Sequence, residues 1–343
     1  MSNSTNPSTK NTFRAVKGVT LTPPIIGRIT MGHTEISGQG PDAMPVSVAD
    51  DSFNITTLVQ NKVDRRWEPH PIQETIKSGS DKLRAIPVVI AYNDPGLNVT
   101  NSFSVFDPIS NRVTCSGDGE SARRTEGAET TTVKCSGPET CLWGIQNRCK
   151  SFTRAYFRIE GQDDELGNFV LRTTSWNSLQ RLASRLNELY ALTGGRIAGM
   201  PMMLTMNDKT SKASMYEPFQ FVDLVPRPGS SLIKAIQQAV AFQDAYEDAG
   251  LNLEALEECL RSGLEQSRLS DEIEDFEEFL TDGDFFGAVQ AKATPRPGGL
   301  RGLTMVSEQL REKHATAAST PPSQESSPDP DNHDLLSLEA VGR

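Results

Sequence analysis

The sequence predicts an α+β fold with a strand-rich core, a four-cysteine element that binds zinc, one internal helix, and then acidic C-terminal helices and a disordered tail. Short apolar runs separated by turn residues fill the first two thirds of the chain, and residues 86–92 are the clearest of them. Strands and helices do not alternate regularly, which argues against an α/β fold.

Five early segments support the strand-rich core. Apolar residues predict strands at 25–31, 53–58 and 86–92, between loops that are rich in Gly and Pro. Residues 103–106 and 112–115 flank an Asp-Pro-Ile-Ser-Asn turn, so we expect a hairpin there.

The second part of the core contains the predicted helix. Residues 156–159 and 169–172 read as a second hairpin, and Leu residues at helical spacing predict a helix over 179–190, with Asn177 as its N-cap and Gln180 at N3. Strands at 200–206 and 219–224 follow. Helical spacing returns at 232–242, 253–264 and 273–280.

Composition divides the chain into four regions. The 343 residues carry a net charge of −11, and only 36% are hydrophobic. We expect a disordered N-terminus at 1–15, the core at 16–228, an acidic helical appendix at 229–290 and a disordered tail at 291–343. Residues 244–284 hold fifteen carboxylates against Arg261 and Arg268, so a protein that simply coats DNA is disfavoured.

Four of the five cysteines lie within one short stretch, at Cys115, Cys135, Cys141 and Cys149. Four thiolates fill the tetrahedral shell of Zn²⁺ and leave no position for water, so the predicted site is structural. Buried free thiols and disulfides are the alternatives. The polar N-terminus has no apolar signal core and no run is long enough to span a membrane, so we predict a cytoplasmic protein, in which disulfides are disfavoured.

Two groups of residues are candidates for phosphate or nucleic-acid contact. Arg148, Lys150 and Arg154 form a modest basic patch beside the cysteines, although their position favours a solvated loop face over a phosphate contact. Ser175 and Asn177 lie where a strand precedes a helix, a position that can hold a phosphate or serve for capping alone.

Enzyme motifs are missing from the sequence. Neither His33 nor His70 belongs to a metal-ligand pattern, and no phosphate-binding glycine loop or nucleophile elbow occurs. The acidic run 163–165 is a conceivable Mg²⁺ site, but its Gly-flanked turn favours solvated charges. We therefore predict no catalytic residues and no small-molecule cofactor.

Four segments carry a family resemblance. They are residues 25–32, the Cys135-x5-Cys141-x7-Cys149 element, residues 167–178 and residues 195–204. In this order they resemble the recombination directionality factor-like family of phages and integrative conjugative elements, over about residues 20–225. Relatives are often labelled "hydrolase or metal-binding protein". The resemblance implies that the four cysteines are metal ligands and that the protein is an accessory of DNA recombination; some members bind a serine integrase and turn its reaction from integration to excision.

The sequence thus predicts a non-enzymatic, zinc-stabilised accessory of a mobile element that binds a recombinase or integrase, or its complex with DNA. The acidic helices suit contact with a basic, DNA-handling protein. Two alternatives are a metal-dependent hydrolase or nuclease with an open zinc position, and a zinc-stapled DNA-binding protein.

Overall fold

A computed structural model describes residues 23–37, 44–62, 66–77, 79, 82–107, 112–127, 129–212 and 214–267. These residues form twelve strands and six helices. The strands are β1 (Ile25–Ser37), β2 (Met44–Gln60), β3 (Trp67–Pro69), β4 (Ala85–Ile90), β5 (Val99–Phe106), β6 (Val113–Gly117), β7 (Ser121–Glu126), β8 (Glu129–Lys134), β9 (Lys150–Ile159), β10 (Asn168–Thr173), β11 (Pro201–Lys209) and β12 (Phe219–Pro226). The helices are α1 (Ile72–Lys77), α2 (Pro95–Asn98), α3 (Leu142–Gln146), α4 (Trp176–Thr193), α5 (Leu232–Asp248) and α6 (Leu253–Ser267).

All described strands belong to one sheet that branches at β9. The main path runs β3-β2-β1-β10-β9-β5-β6-β7-β8, and the branch adds β4, β11 and β12. The first part of β9 pairs with β5 and its last residues pair with β4. Among the described strands, β1 and β10 form the parallel pair, and the other pairs are antiparallel.

Helix α4 packs on one face of this sheet and forms the main hydrophobic core. Its buried Leu182, Leu186 and Leu189 join Phe157 of β9 and Leu171 of β10. These sheet residues are at odd positions of strands whose side chains alternate between faces, so the even positions of β9 and β10 point to the other face.

Helices α5 and α6 also pack against the strand-rich part of the chain. Ala235 and Ala239 of α5 are buried in the main core, and Leu260 of α6 packs with Tyr92 and Leu97. The half-buried side chain of Asn93 connects these elements through hydrogen bonds.

The Asn93 Oδ1 atom accepts hydrogen bonds from the backbone N–H groups of Ile197 and Ala198, both at 2.9 Å, and from Gln243 Nε2 of α5 at 3.1 Å. The backbone N–H of Asn93 donates to Glu257 of α6 at 2.6 Å. Residues after β4, before β11 and in both C-terminal helices are thereby tied together.

Several predictions about the elements are confirmed and others are wrong. The two hairpins are β5–β6 and β9–β10, and the periodic segment at 179–190 lies within α4. The expectation of one internal helix is wrong, since the described core contains α1, α2 and α3 as well as α4. The N-cap of α4 is Ser175, whose side chain accepts the Ser178 N–H, and not Asn177.

The predicted N-terminal region 1–15, the predicted helix at 273–280 and the predicted tail 291–343 lie outside the described residues. Among the helices that are described, none is both long and apolar enough to cross a membrane.

Candidate metal centre

The four clustered cysteines surround one small cavity of about 10 Å³. Cys115 lies in β6, Cys135 directly follows β8, Cys141 is the N-cap of α3, and Cys149 directly precedes β9. The long spacing between the first two is taken up by the β6–β7–β8 meander, which brings the end of β8 back to β6. We call residues 103–149 around this cavity the cysteine lobe.

Two glycines allow the backbone to pass close to the sulfurs. A Cβ at Gly117 would lie 2.8 Å from Cys135 Sγ, and a Cβ at Gly144 would lie 3.0 Å from Cys149 Cβ and 3.4 Å from Cys141 Sγ. The distances to Cys135 Sγ and Cys149 Cβ are shorter than ordinary van der Waals contact. Only glycine therefore fits beside the cysteines at these two positions without displacement.

Backbone and cationic groups face the sulfurs. The Gly144 N–H donates to Cys141 Sγ at 3.3 Å, and Arg124 Nη2 lies 3.9 Å from the same sulfur. The Arg124 guanidinium also lies 4.1 Å from the ring centroid of Trp143. This cation would partly offset the negative charge that four thiolates carry around a divalent ion.

Burial raises the pKa values of two of these thiols, and neighbouring sulfurs add to the effect. Burial and the other three cysteine sulfurs raise the pKa of Cys149 to about 12, while nearby Arg124 lowers it. Burial also raises the pKa of Cys115, against a hydrogen bond from Arg124. A metal ion that binds here must displace the proton of Cys149 at neutral pH.

The residues of the lobe fit a zinc ion by their chemistry, since they provide four soft sulfur donors around a space that glycines keep open. Within the described part of the chain, however, no set of three or more His, Cys, Asp or Glu side chains stands in an arrangement that would hold a metal ion. All five cysteines are free thiols, and Cys259 lies apart from the cluster in α6.

The residues expected to contact phosphate lie in two different places. Lys150 and Arg154 lie in β9, and Arg148 precedes them with a left-handed backbone at φ 60°. Ser175 and Asn177 lie at the start of α4, where Ser175 caps the helix and Asn177 Oδ1 accepts from Lys209 Nζ at 3.2 Å. Lys150 and Arg154 are at even positions of β9, whereas α4 packs on the face of the odd positions, so the structure does not unite the five residues in one site.

A second cavity, of about 280 Å³, lies between β1, β2 and β3. His33 Nδ1 is 2.9 Å from Asp50 Oδ1 there, and Asn54 Nδ2 donates to Asp50 Oδ2 at 2.7 Å. The acidic run 163–165 is exposed in the turn between β9 and β10, where Asp164 Oδ1 accepts the Leu166 N–H at 2.9 Å. The carboxylates of Asp50 and Asp164 therefore both take part in hydrogen bonds with nearby protein groups.

Comparison with known families settles the broad identity of the chain. The model of the Gp3-like family, described as recombination directionality factor-like, matches residues 26–227. The chain belongs to this family. The match extends through β1 to β12 and ends before α5, so the resemblance seen in the sequence is confirmed and both C-terminal helices lie beyond it.

Membership in the Gp3-like family indicates a role in the recombination of mobile elements, in which directionality factors act with a recombinase or integrase. No curated protein and no solved structure gives a significant match to the chain.

Proposed function

We propose that this protein is a non-enzymatic, zinc-stabilised accessory of a mobile genetic element, and that it acts in the cytoplasm by binding a recombinase or integrase, or its complex with DNA. The observation that carries the proposal is the Gp3-like match, which covers all twelve strands of the sheet and the cysteine lobe.

Three features of the lobe support zinc as the stabilising ion. Four thiols line one cavity, Gly117 and Gly144 leave room beside the sulfurs, and Arg124 supplies a nearby cation. A shift of the sulfurs toward a common centre would complete a tetrahedral shell.

The lobe also has little apolar material of its own. Its buried cluster consists of Val105, Cys115, Ala122 and Cys135, with Phe103, Val133, Trp143 and Cys149 packed at its edge. Small cores of this kind are marginal, and metal binding contributes directly to their folding free energy. Because all four zinc positions would be filled by protein sulfurs, the ion would have a structural role and no site for an activated water.

The recombination role can be tested in cells that carry the parent element. Quantitative PCR of the integrated and excised DNA junctions gives the ratio of the two states, whichever recombinase the element encodes. Deletion of the gene should change this ratio, and re-expression of the wild-type protein should restore it. A ratio that is the same with and without the gene would contradict the proposed role.

The same assay links the role to the cysteine lobe. Cys141→Ser should fail to restore the ratio, because loss of one ligand opens the zinc shell. Cys259→Ser is the matched control, since Cys259 lies outside both the cluster and the family match, and it should restore the ratio fully.

A further inference from the structure

Helix α3 presents two large apolar side chains to solvent. Leu142 is 78% exposed and Ile145 is 55% exposed. They are three residues apart on α3, so they lie on the same side of the helix. The cavity of the metal centre lies on the other side, where Gly144 is buried against the cysteines. The cysteine lobe therefore carries an outward apolar pair that the proposed zinc site does not use.

Backbone hydrogen bonds hold this apolar pair in place. The Ile145 N–H donates to the Cys141 carbonyl at 2.8 Å, and the Cys149 N–H donates to the Gly144 carbonyl at 2.8 Å. A helix of five residues is not stable by itself, so these bonds and the surrounding cysteines keep α3 folded. Side chains that an ordered element already holds in position lose less entropy when they enter an interface.

An acidic and a basic side chain flank the apolar pair. Glu139 is three residues before Leu142, and Arg148 is three residues after Ile145. Both are exposed, and neither forms an ion pair with any residue that the structure describes. The segment 139–148 thus has the order acid, apolar, apolar, base at a constant spacing of three residues. We call these four residues the α3 patch.

The α3 patch is complementary to itself. When two copies of the segment pack antiparallel across a two-fold axis, Glu139 of one chain meets Arg148 of the other, and Leu142 meets Ile145. A two-fold interface needs this property, because each residue pair occurs twice with its members exchanged. We propose that the α3 patch joins two copies of this protein in a symmetric dimer.

The charges of the patch favour a second copy of the chain over other occupants. The net charge of the chain is −11, so two copies repel each other over most of their surfaces. The α3 patch carries one charge of each sign, and the antiparallel arrangement provides an opposite-charge contact at both of its ends. Nucleic acid suits the patch poorly, since its phosphates would meet exposed aliphatic side chains and the Glu139 carboxylate.

The small size of the patch sets the strength of the dimer. A standard interface has about 20–30 residues on each side, so we expect a weak dimer with a Kd on the order of 10–100 μM. Such a dimer presents every other binding surface of the protein twice. Weak contacts with a partner that also has two binding sites are then strengthened by avidity. Dimerisation is thus a property beyond the proposed recombination role.

Sedimentation equilibrium of the full-length protein tests the charged ends of the contact. The average mass of the wild type should rise from one chain towards two across about 1–300 μM, a range that brackets the expected Kd. Glu139→Arg and Arg148→Glu each place like charges opposite one another at both ends, so each should weaken self-association at least about tenfold. The double variant restores both contacts with reversed signs, and its Kd should return to within about threefold of the wild-type value.

Leu142→Ser tests the apolar centre of the contact and should also raise the Kd at least about tenfold. Leu192→Ser is the matched control, because Leu192 is a leucine of α4 that is 68% exposed. Glu129→Arg on exposed β8 of the same lobe is the charge control. Both controls should stay within about threefold of the wild-type Kd. All the changed side chains are exposed, so every variant should keep its zinc content and melt within about 2 °C of the wild type.

Three results would overturn the proposal. They are a wild type that stays monomeric up to about 300 μM, self-association that Leu142→Ser and the single charge reversals leave unchanged, and a double variant that is as weak as the single ones. A monomeric wild type whose capture of the recombinase is lost in Leu142→Ser would make the α3 patch a recombinase site instead. Sedimentation does not depend on the ratio of DNA junctions, so loss of the dimer would leave the recombination role standing.

Discussion

At the scale of single residues, glycines explain how four cysteines fit around so small a cavity. Gly117 faces Cys135 and Gly144 faces both Cys141 and Cys149, so three of the four thiols depend on a neighbour without a side chain. The closeness of the four cysteines along the sequence was enough to predict that they lie together. The sequence did not reveal Gly117 or the orientation of Arg124, because both depend on which strands pair.

Gly117→Ala tests this packing. The new Cβ would lie 2.6 Å from Ala122 Cβ and 2.8 Å from both Cys135 Sγ and the Ser121 carbonyl oxygen, so the backbone must shift. We expect the free energy of unfolding to fall by about 1–3 kcal/mol in urea denaturation. Gly96→Ala is the control, since its Cβ would approach only the Asp94 side chain, at 3.2 Å. Equal losses in the two variants would show that the close approach at Gly117 has no energetic importance.

Glu257 gives a second prediction at this scale. Burial raises the pKa of its carboxyl, although the Asn93 N–H that donates to it lowers the pKa. A carboxyl with a raised folded-state pKa contributes stability that is present below its unfolded pKa and is lost as pH rises through the folded value.

Glu257→Gln keeps an acceptor oxygen for Asn93 but cannot ionise. The melting temperature of the variant should therefore rise relative to the wild type as pH increases from about 4 to about 8, because only the wild type acquires a buried charge. Differential scanning fluorimetry across this range checks the trend. A difference between the two proteins that stays constant or shrinks with pH would contradict it.

At the scale of elements, the sequence predicted best where apolar periodicity was strong. Hairpins β5–β6 and β9–β10, strand β4 and helix α4 all have regular apolar positions. Strands β7 and β8 escaped prediction because they consist mainly of Ser, Thr, Arg, Lys and Glu, with Ala122 and Val133 as their apolar residues. Their Thr-rich composition was the available signal, since β-branched residues favour strands even on solvated surfaces.

The start of α4 shows how two similar caps compete. Both Ser175 and Asn177 are residues that cap helices, and pattern alone favoured Asn177 because Gln180 follows at N3. In the structure, Ser175 accepts the Ser178 N–H, and Trp176 stacks on Phe103 of the cysteine lobe with centroids 6.5 Å apart. This tertiary stacking starts the helix two residues earlier.

Ser175→Ala should therefore destabilise the protein more than Asn177→Ala. Loss of an N-cap costs about 0.5–2 kcal/mol. Asn177 only accepts from the exposed Lys209, so its replacement should change the free energy of unfolding by less than about 0.5 kcal/mol. Chemical denaturation of both variants decides between them. The reverse order of the two losses would mean that Asn177 is the effective cap.

At the scale of the whole molecule, one sheet separates two chemically different surfaces. The cysteine lobe packs on the side of α4, through Phe103 and Trp176, whereas Lys150 and Arg154 lie at even positions of β9, on the other face of the sheet. The sequence indicated Lys150 and Arg154 as one candidate group and Ser175 and Asn177 as another. It could not show that the two groups lie on opposite faces of the sheet, because this follows from non-local strand pairing. The family match, in contrast, could be foreseen from the order of local segments.

The central structural proposal is that Cys115, Cys135, Cys141 and Cys149 converge on one zinc ion. Native mass spectrometry of the full-length protein, purified without chelator, measures this most directly. The wild type and Cys259→Ser should each carry one zinc per chain, because four thiolates fill a single tetrahedral shell, and Cys141→Ser and Cys149→Ser should carry none and unfold more readily. A wild-type protein without zinc, or a zinc content that the Cys141 and Cys149 substitutions leave unchanged, would contradict the account.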